Sequence, residues 1–91
     1  MKVKFYAGLR NITKCKEIDI PAPPDMWALL LYIGERYGDA IRVKLFTPDG
    51  KDITSNVNIL VSGRNNHFLQ GKDTPLTESD TVSIFPLVAG G

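Results

Sequence analysis

Covalent catalysis needs a nucleophile, a base to activate it and usually a group to orient that base. This chain has little of that equipment. Cys15 and His67 are its only Cys and His. Cys15 stands between Lys14 and Lys16 at the entry to a strand and reads as a structural thiol; His67 follows Asn65-Asn66 in a loop and reads as a surface residue. One Cys excludes an intramolecular disulfide and a Cys-based zinc site, and no second His completes a metal set. The carboxylates are scattered, and neither GxGxxG nor GxxxxGK[ST] occurs. Phe5, Tyr6, Tyr32, Tyr37 and Phe46 suit core or flanking positions better than a base-stacking platform. The expectation is no catalytic residue, no metal and no enzyme.

Chemistry re-enters at the end of the sequence, Ile84-Phe85-Pro86-Leu87-Val88-Ala89-Gly90-Gly91. A terminal Gly-Gly has a random expectation of about 0.5% at ordinary glycine usage. A dispensable tail would be preceded by polar residues, whereas here an apolar strand runs almost to the last residue. Pro86 cannot donate to a sheet ladder, so pairing is expected to weaken there and residues 87–91 to leave as a flexible tail. Five extended residues reach about 17 Å, enough to thread a partner's active site. Glycines pass a narrow channel in any conformation it demands, and they leave the α-carboxylate open to attack. A carboxylate reacts only once activated, as in an acyl-adenylate made from ATP, whose mixed anhydride accepts a sulfur or nitrogen nucleophile. On this reading Gly91 is the reacting residue, Val88, Ala89 and Gly90 thread the partner, and Phe85, Pro86 and Leu87 anchor the contact. The chain is then substrate and carrier, and its partners do the catalysis. It binds no cofactor permanently, and the activating partner uses the ATP.

A carrier of this kind needs a firm scaffold. Val3, Phe5 and Ala7 alternate with Lys2, Lys4 and Tyr6, the period of a half-buried strand. Ile18 and Ile20, between Glu17, Asp19 and the stop at Pro21, predict a second strand paired with the first as a hairpin across a polar loop. Asp25 is a good N-cap for a helix whose Met26, Leu29, Leu30, Ile33 and Tyr37 share one face, and Gly38 can cap its end. Gly34 inside it costs about 1 kcal/mol relative to Ala, so close packing is expected there. Trp27 and Leu31 lie off the stripe. Ile41, Val43 and Leu45 alternate with Arg42 and Lys44, which fits a third strand or a continued helix. Val57, Ile59 and Val61 mark the next strand, Ser62 to Asn66 a turn, and Thr74 to Asp80 turn material with a short helical turn. Val82 and Ile84 share one face of the last strand, with Phe85 and Leu87 on the other. The order is that of an α+β domain, one main helix covering one face of a mixed sheet of four to five strands.

Ninety-one residues make one small domain. A net charge of +1 gives no electrostatic case for nucleic acid or an anionic membrane. Charge is uneven along the chain, residues 1–45 holding 8 basic and 5 acidic groups (+3) against 3 and 5 (−2) in residues 46–91. The longest apolar run, Met26–Ile33, is too short to span a bilayer. With no signal-peptide pattern and an unpaired Cys, a cytoplasmic location is expected.

Asp80-Thr81-Val82-Ser83-Ile84-Phe85-Pro86-Leu87-Val88-Ala89-Gly90-Gly91 resembles the C-terminal signature of the MoaD/ThiS family of ubiquitin-like sulfur carriers, most closely its MoaD branch, the small subunit of molybdopterin synthase. Val3 to Arg10 is similar to that family's opening strand and following Arg, and Val61-Ser62-Gly63-Arg64 to its central VNGR turn. The resemblance implies a β-grasp domain over residues 1–86, with first and last strands side by side and parallel. It also implies adenylation of Gly91 by a MoeB-like enzyme and conversion to a thiocarboxylate by a sulfur donor system. In the MoaD role, sulfur passes to a pterin precursor in a MoaE-like large subunit to build the dithiolene of the molybdenum or tungsten cofactor. The alternatives are a carrier for thiamine thiazole and a ubiquitin-like modifier joined through Gly91 to lysines. Leu87 replaces a frequent second Pro of the family, Ser62 the usual Asn and Ser79 a common turn Gly. Arg10 and Arg64 are candidates to meet acidic partner residues.

Overall fold

Val3 and Phe5 are fully buried, as their alternation with Lys2 and Lys4 requires, and they sit on the first of five strands in one sheet. The computed structural model describes residues 1–65 and 71–87. Strand β1 (Lys2–Phe5) is followed by helix α1 (Leu9–Thr13), β2 (Glu17–Asp19), α2 (Met26–Tyr37) and α3 (Asp39–Leu45). Then come β3 (Val57–Val61), β4 (Arg64–Asn65), a 3-10 turn at Gly71–Asp73 and β5 (Thr81–Pro86). The sheet order is β2-β1-β5-β3-β4. β1 pairs antiparallel with β2, Val3 opposite Ile18, which is the expected hairpin. Its other edge takes β5 in parallel, Val3 opposite Val82 and Phe5 opposite Ile84. The first and last strands therefore lie together in the middle, as the resemblance implied.

Helix α2 starts where Asp25 Oδ1 accepts the N–H of Ala28 at 2.9 Å, a side-chain cap for an otherwise unsatisfied donor. Met26, Leu29, Leu30 and Ile33 are buried without exposure and join Val3, Phe5, Val82 and Ile84 in one core. Gly38, at φ 83°, ends the helix with its N–H on Gly34 O at 2.9 Å. Close packing at Gly34 is confirmed: a Cβ there would stand 3.1 Å from Cγ and 3.2 Å from Nε of Arg42. Trp27 lies edge-on to Phe46 with ring centroids 5.2 Å apart, and Lys72 Nζ sits 5.3 Å from its ring centroid.

One open alternative is decided and three local expectations change. Residues 39–45 are helical, because the buried pair is Ile41 and Leu45, four apart, while Val43 is 72% exposed. Part of the polar stretch expected as hairpin loop is α1, which buries Leu9 and Thr13, again four apart, and ends at Lys14 in a left-handed conformation. The alternation of β1 stops at Phe5, since Ala7 takes φ 51° and is exposed. Near the end of the chain, the helical turn falls at Gly71–Asp73, before the Thr74–Asp80 stretch. The Ser62-Gly63 turn is as expected, with β4 beginning directly after it. Both residues have positive φ (50° and 86°), the geometry that matches strand twist across a two-residue hairpin. Ser62 takes this conformation with its Oγ donating to Asp80 Oδ1 at 2.9 Å.

Candidate functional site

β5 is the last described strand, and the sheet holds it on both edges. Beyond its parallel pairing to β1, it runs antiparallel to β3 with Ile59 opposite Ile84 and Val57 opposite Pro86. Tyr6 N donates to Ile84 O at 3.2 Å, and Leu87 N donates to Asn56 O at 2.8 Å. Backbone pairing thus extends past Pro86 to the first residue that the sequence reading assigns to the tail. Val88, Ala89, Gly90 and Gly91, together with His67, lie outside the described residues.

The alternation along β5 sorts its side chains by task. Val82 and Ile84 face the helices and are fully buried. Phe85 faces the other way and is half-buried, its ring stacked on Tyr6 with centroids 4.1 Å apart and planes inclined by 13°. Arg10 completes the cluster. Its Nε donates to Phe5 O at 2.9 Å, and its guanidinium carbon stands 5.4 Å from the centroid of the Tyr6 ring. Leu87, one step beyond Pro86, is 55% exposed. A firm strand therefore delivers an apolar and aromatic root to the surface just before the Gly-Gly sequence.

Sequence reasoning singled out Phe85, Pro86 and Leu87, and the structure brings them together with Tyr6 and Arg10. Tyr6 was missed as a site residue. Its signal was the register of a parallel pair, which brings residues 6 and 85 side by side across almost the whole chain. Arg64 is the first residue of β4, at the edge of the sheet.

Cys15, read as a structural thiol, is half-buried, with Sγ 3.8 Å from the Tyr37 hydroxyl. Burial, then the hydrogen bond with Cys15, pushes the Tyr37 phenol above its ordinary value. Among the described residues no three His, Cys, Asp or Glu side chains gather into a metal-binding group. No described helix is long and apolar enough to cross a membrane.

What the described residues offer is a firmly paired strand with an apolar and aromatic contact surface at its C-terminal end. Comparison with known proteins agrees with that fold. The ThiS family matches residues 3–91. Small archaeal modifier protein 3 of Haloferax volcanii is 32% identical over 93 residues, covering 100% of this chain and 98% of its own length. The solution structure of small archaeal modifier protein 1 from Methanosarcina acetivorans superposes with a TM-score of 0.83 at 31% identity, covering 99% of this chain and 94% of that one. A Pyrococcus furiosus structure, described as a candidate molybdopterin converting factor subunit 1, gives a TM-score of 0.69 at 28% identity over 96% of this chain and 95% of that one.

Proposed function

The chain belongs to the ThiS family, a ubiquitin-like β-grasp carrier or modifier by fold and kinship, and from that premise we propose that Gly91 carries an activated acyl group. Its carboxylate attacks the α-phosphorus of ATP in a MoeB-like activating enzyme, releasing pyrophosphate and forming an acyl-adenylate. Hydrosulfide released by a donor system then attacks the acyl carbon and displaces AMP, and loss of the S–H proton leaves a thiocarboxylate. The catalytic groups belong to the partners. Val88, Ala89 and Gly90 thread their active sites, while Phe85, Pro86 and Leu87 rest against the entrance. Use of cellular ATP puts this chemistry in the cytoplasm.

The observation that carries this reading is the hold on β5, paired on its β1 edge up to Ile84 and on its β3 edge up to Leu87, four residues before Gly91. A fixed root lowers the ordering cost of each docking event, the general gain from preorganisation.

Two fates of the activated carboxyl have support. Sulfur transfer in a MoaE-like subunit, building the dithiolene of molybdopterin, is supported by likeness to the Pyrococcus furiosus protein. Conjugation to lysines is supported by likeness to the two small archaeal modifier proteins. Lysine residues in the proteome bearing the remnant that cleavage after Lys72 leaves, Asp73 to Gly91, favour the second fate; a dithiolene product from pterin precursor and large subunit favours the first.

Both fates share the adenylation step, which ATP–pyrophosphate exchange measures. Exchange should require the chain and vanish when Gly91 is deleted. Undiminished exchange after that deletion, or none from an activator shown to be competent on another carrier, would overturn the proposal.

A further inference from the structure

The end of the domain where β5 terminates has a consistent charge. Beside the tail root runs a groove of about 490 Å³, lined by Ala7, Gly8, Val43, Lys44, Asn56 and Leu87 among others. Two of its apolar side chains are open to solvent, Val43 at 72% and Leu87 at 55% exposure. Lys44 is exposed and makes no ion pair among the described residues. Across the root, Arg10 is exposed on the Tyr6–Phe85 stack. Lys16, also exposed, is tied to the same end because its carbonyl accepts the Phe5 N–H at 2.8 Å. No Asp or Glu lines the groove among the described residues.

The opposite end carries the other sign. Asp19 and Glu78 lie 3.3 and 3.4 Å from the Met1 amino group, and Asp80 O accepts the Lys2 N–H at 3.3 Å. β1 and β5, being parallel, both run from the acidic end to the cationic one. The modest imbalance between the halves of the sequence thus becomes, in three dimensions, a polarity along the direction of the tail.

We propose that the tail-bearing end is a docking face for a partner whose channel entrance combines a carboxylate rim with an apolar recess. Arg10, Lys16 and Lys44 meet the carboxylates, and Val43 and Leu87 enter the recess. The polarity orients the domain tail-first during approach, so its main effect falls on the association rate. This inference rests on the reading of Gly91 as the activated group, and names the surface chemistry of the enzyme that activates it.

The test is adenylation kinetics with that activating enzyme, at low and raised salt. Steering by clustered charge changes encounter rates by about 10- to 1,000-fold, so Lys44→Glu should lower kcat/KM by about 5-fold at low salt while leaving kcat unchanged. Adding Arg10→Glu should deepen the loss to about 30-fold, within the same steering range. Lys2→Glu makes the same charge change at the far end, away from the rim that meets the partner, and should cost less than about 2-fold. Wild-type kcat/KM should fall as salt rises, with a shallower slope for Lys44→Glu. Arg10→Glu also removes the hydrogen bond to Phe5, so if the double variant does not fold, Lys44→Glu alone decides.

Equal losses for Lys44→Glu and Lys2→Glu, or no loss for Lys44→Glu, overturn the inference while leaving the adenylation reading standing. Failure of wild-type chain to be adenylated removes the reading itself, and the inference with it. Salt-sensitive self-association of the wild-type chain, abolished by Lys44→Glu, would assign the acidic end of a second copy as the occupant and also overturn it.

Discussion

Ile84 and Phe85 are neighbours on one strand with opposite duties, and replacing each by alanine separates scaffold from contact surface. Ile84 is fully buried between Phe5 and Ile59 in register. Its truncation leaves a cavity in the centre of the core and should cost about 4 kcal/mol, in the upper part of the range for such changes. Phe85 is half-buried, so truncation forfeits about 1 kcal/mol of burial. Loss of its stack on Tyr6 at 4.1 Å adds about another 1 kcal/mol. The total, about 2 kcal/mol, is half the cost at Ile84. Urea unfolding resolves this gap, since with a slope of about 1 kcal/mol/M the two midpoints should differ by about 2 M. In the adenylation assay, at a temperature where the variant remains folded, Phe85→Ala should lose about 10-fold in kcat/KM, equivalent to about 1.4 kcal/mol of binding. A Phe85→Ala variant as unstable as Ile84→Ala would refute the assignment of faces. Full activity in a folded Phe85→Ala chain would refute its role as an anchor.

Other outcomes follow from the same structure. Gly34→Ala gains helix propensity but presses on Arg42, whose pair with Asp39 is exposed, so stability should change by less than about 1 kcal/mol. Gly34→Leu, which must displace both Arg42 and Phe46, should lose about 1–3 kcal/mol in the same urea titration. Asp25→Ala removes the cap on Ala28 N and should cost about 1 kcal/mol, with adenylation kinetics unchanged. Because Tyr37 keeps its proton above the ordinary value of 10.0, the unfolded chain loses that proton first. Stability should then fall as pH rises from that value through the higher folded one, and Tyr37→Phe should flatten the fall in urea midpoints.

Most of the scaffold is visible in the residue pattern because its elements bury one regular face. Val3 and Phe5, then Met26, Leu29, Leu30 and Ile33, then Val57, Ile59 and Val61, and Val82 with Ile84 each keep the period of their element, and each proves buried. Helix α3 is harder to read, since in seven residues Ile41, Val43 and Leu45 satisfy a strand period and Ile41 with Leu45 a helical one. Only burial of the second pair decides. Helix α1, five residues long and largely polar, has too few turns to show a stripe.

The site is legible at one level and hidden at another. Phe85, Pro86 and Leu87 draw attention through their place before Gly-Gly. Tyr6 and Arg10 join them only because β1 and β5 are parallel, and Lys44 only because α3 returns to the tail root. Such contacts depend on topology, which local sequence does not encode. The charge polarity is faint in the sequence for the same reason, appearing there as a difference between halves and in the fold as a difference between ends.

Intact-mass spectrometry bears most directly on the central claim. The chain, its activating enzyme, ATP and a sulfur donor are incubated, and the mass of the chain is read before and after. The account predicts the gain expected for replacing one carboxyl oxygen by sulfur, located to Gly91 by fragmentation and absent when Gly91 is deleted. An unchanged mass, with an activator proven competent, or sulfur placed at Cys15 instead, would contradict it.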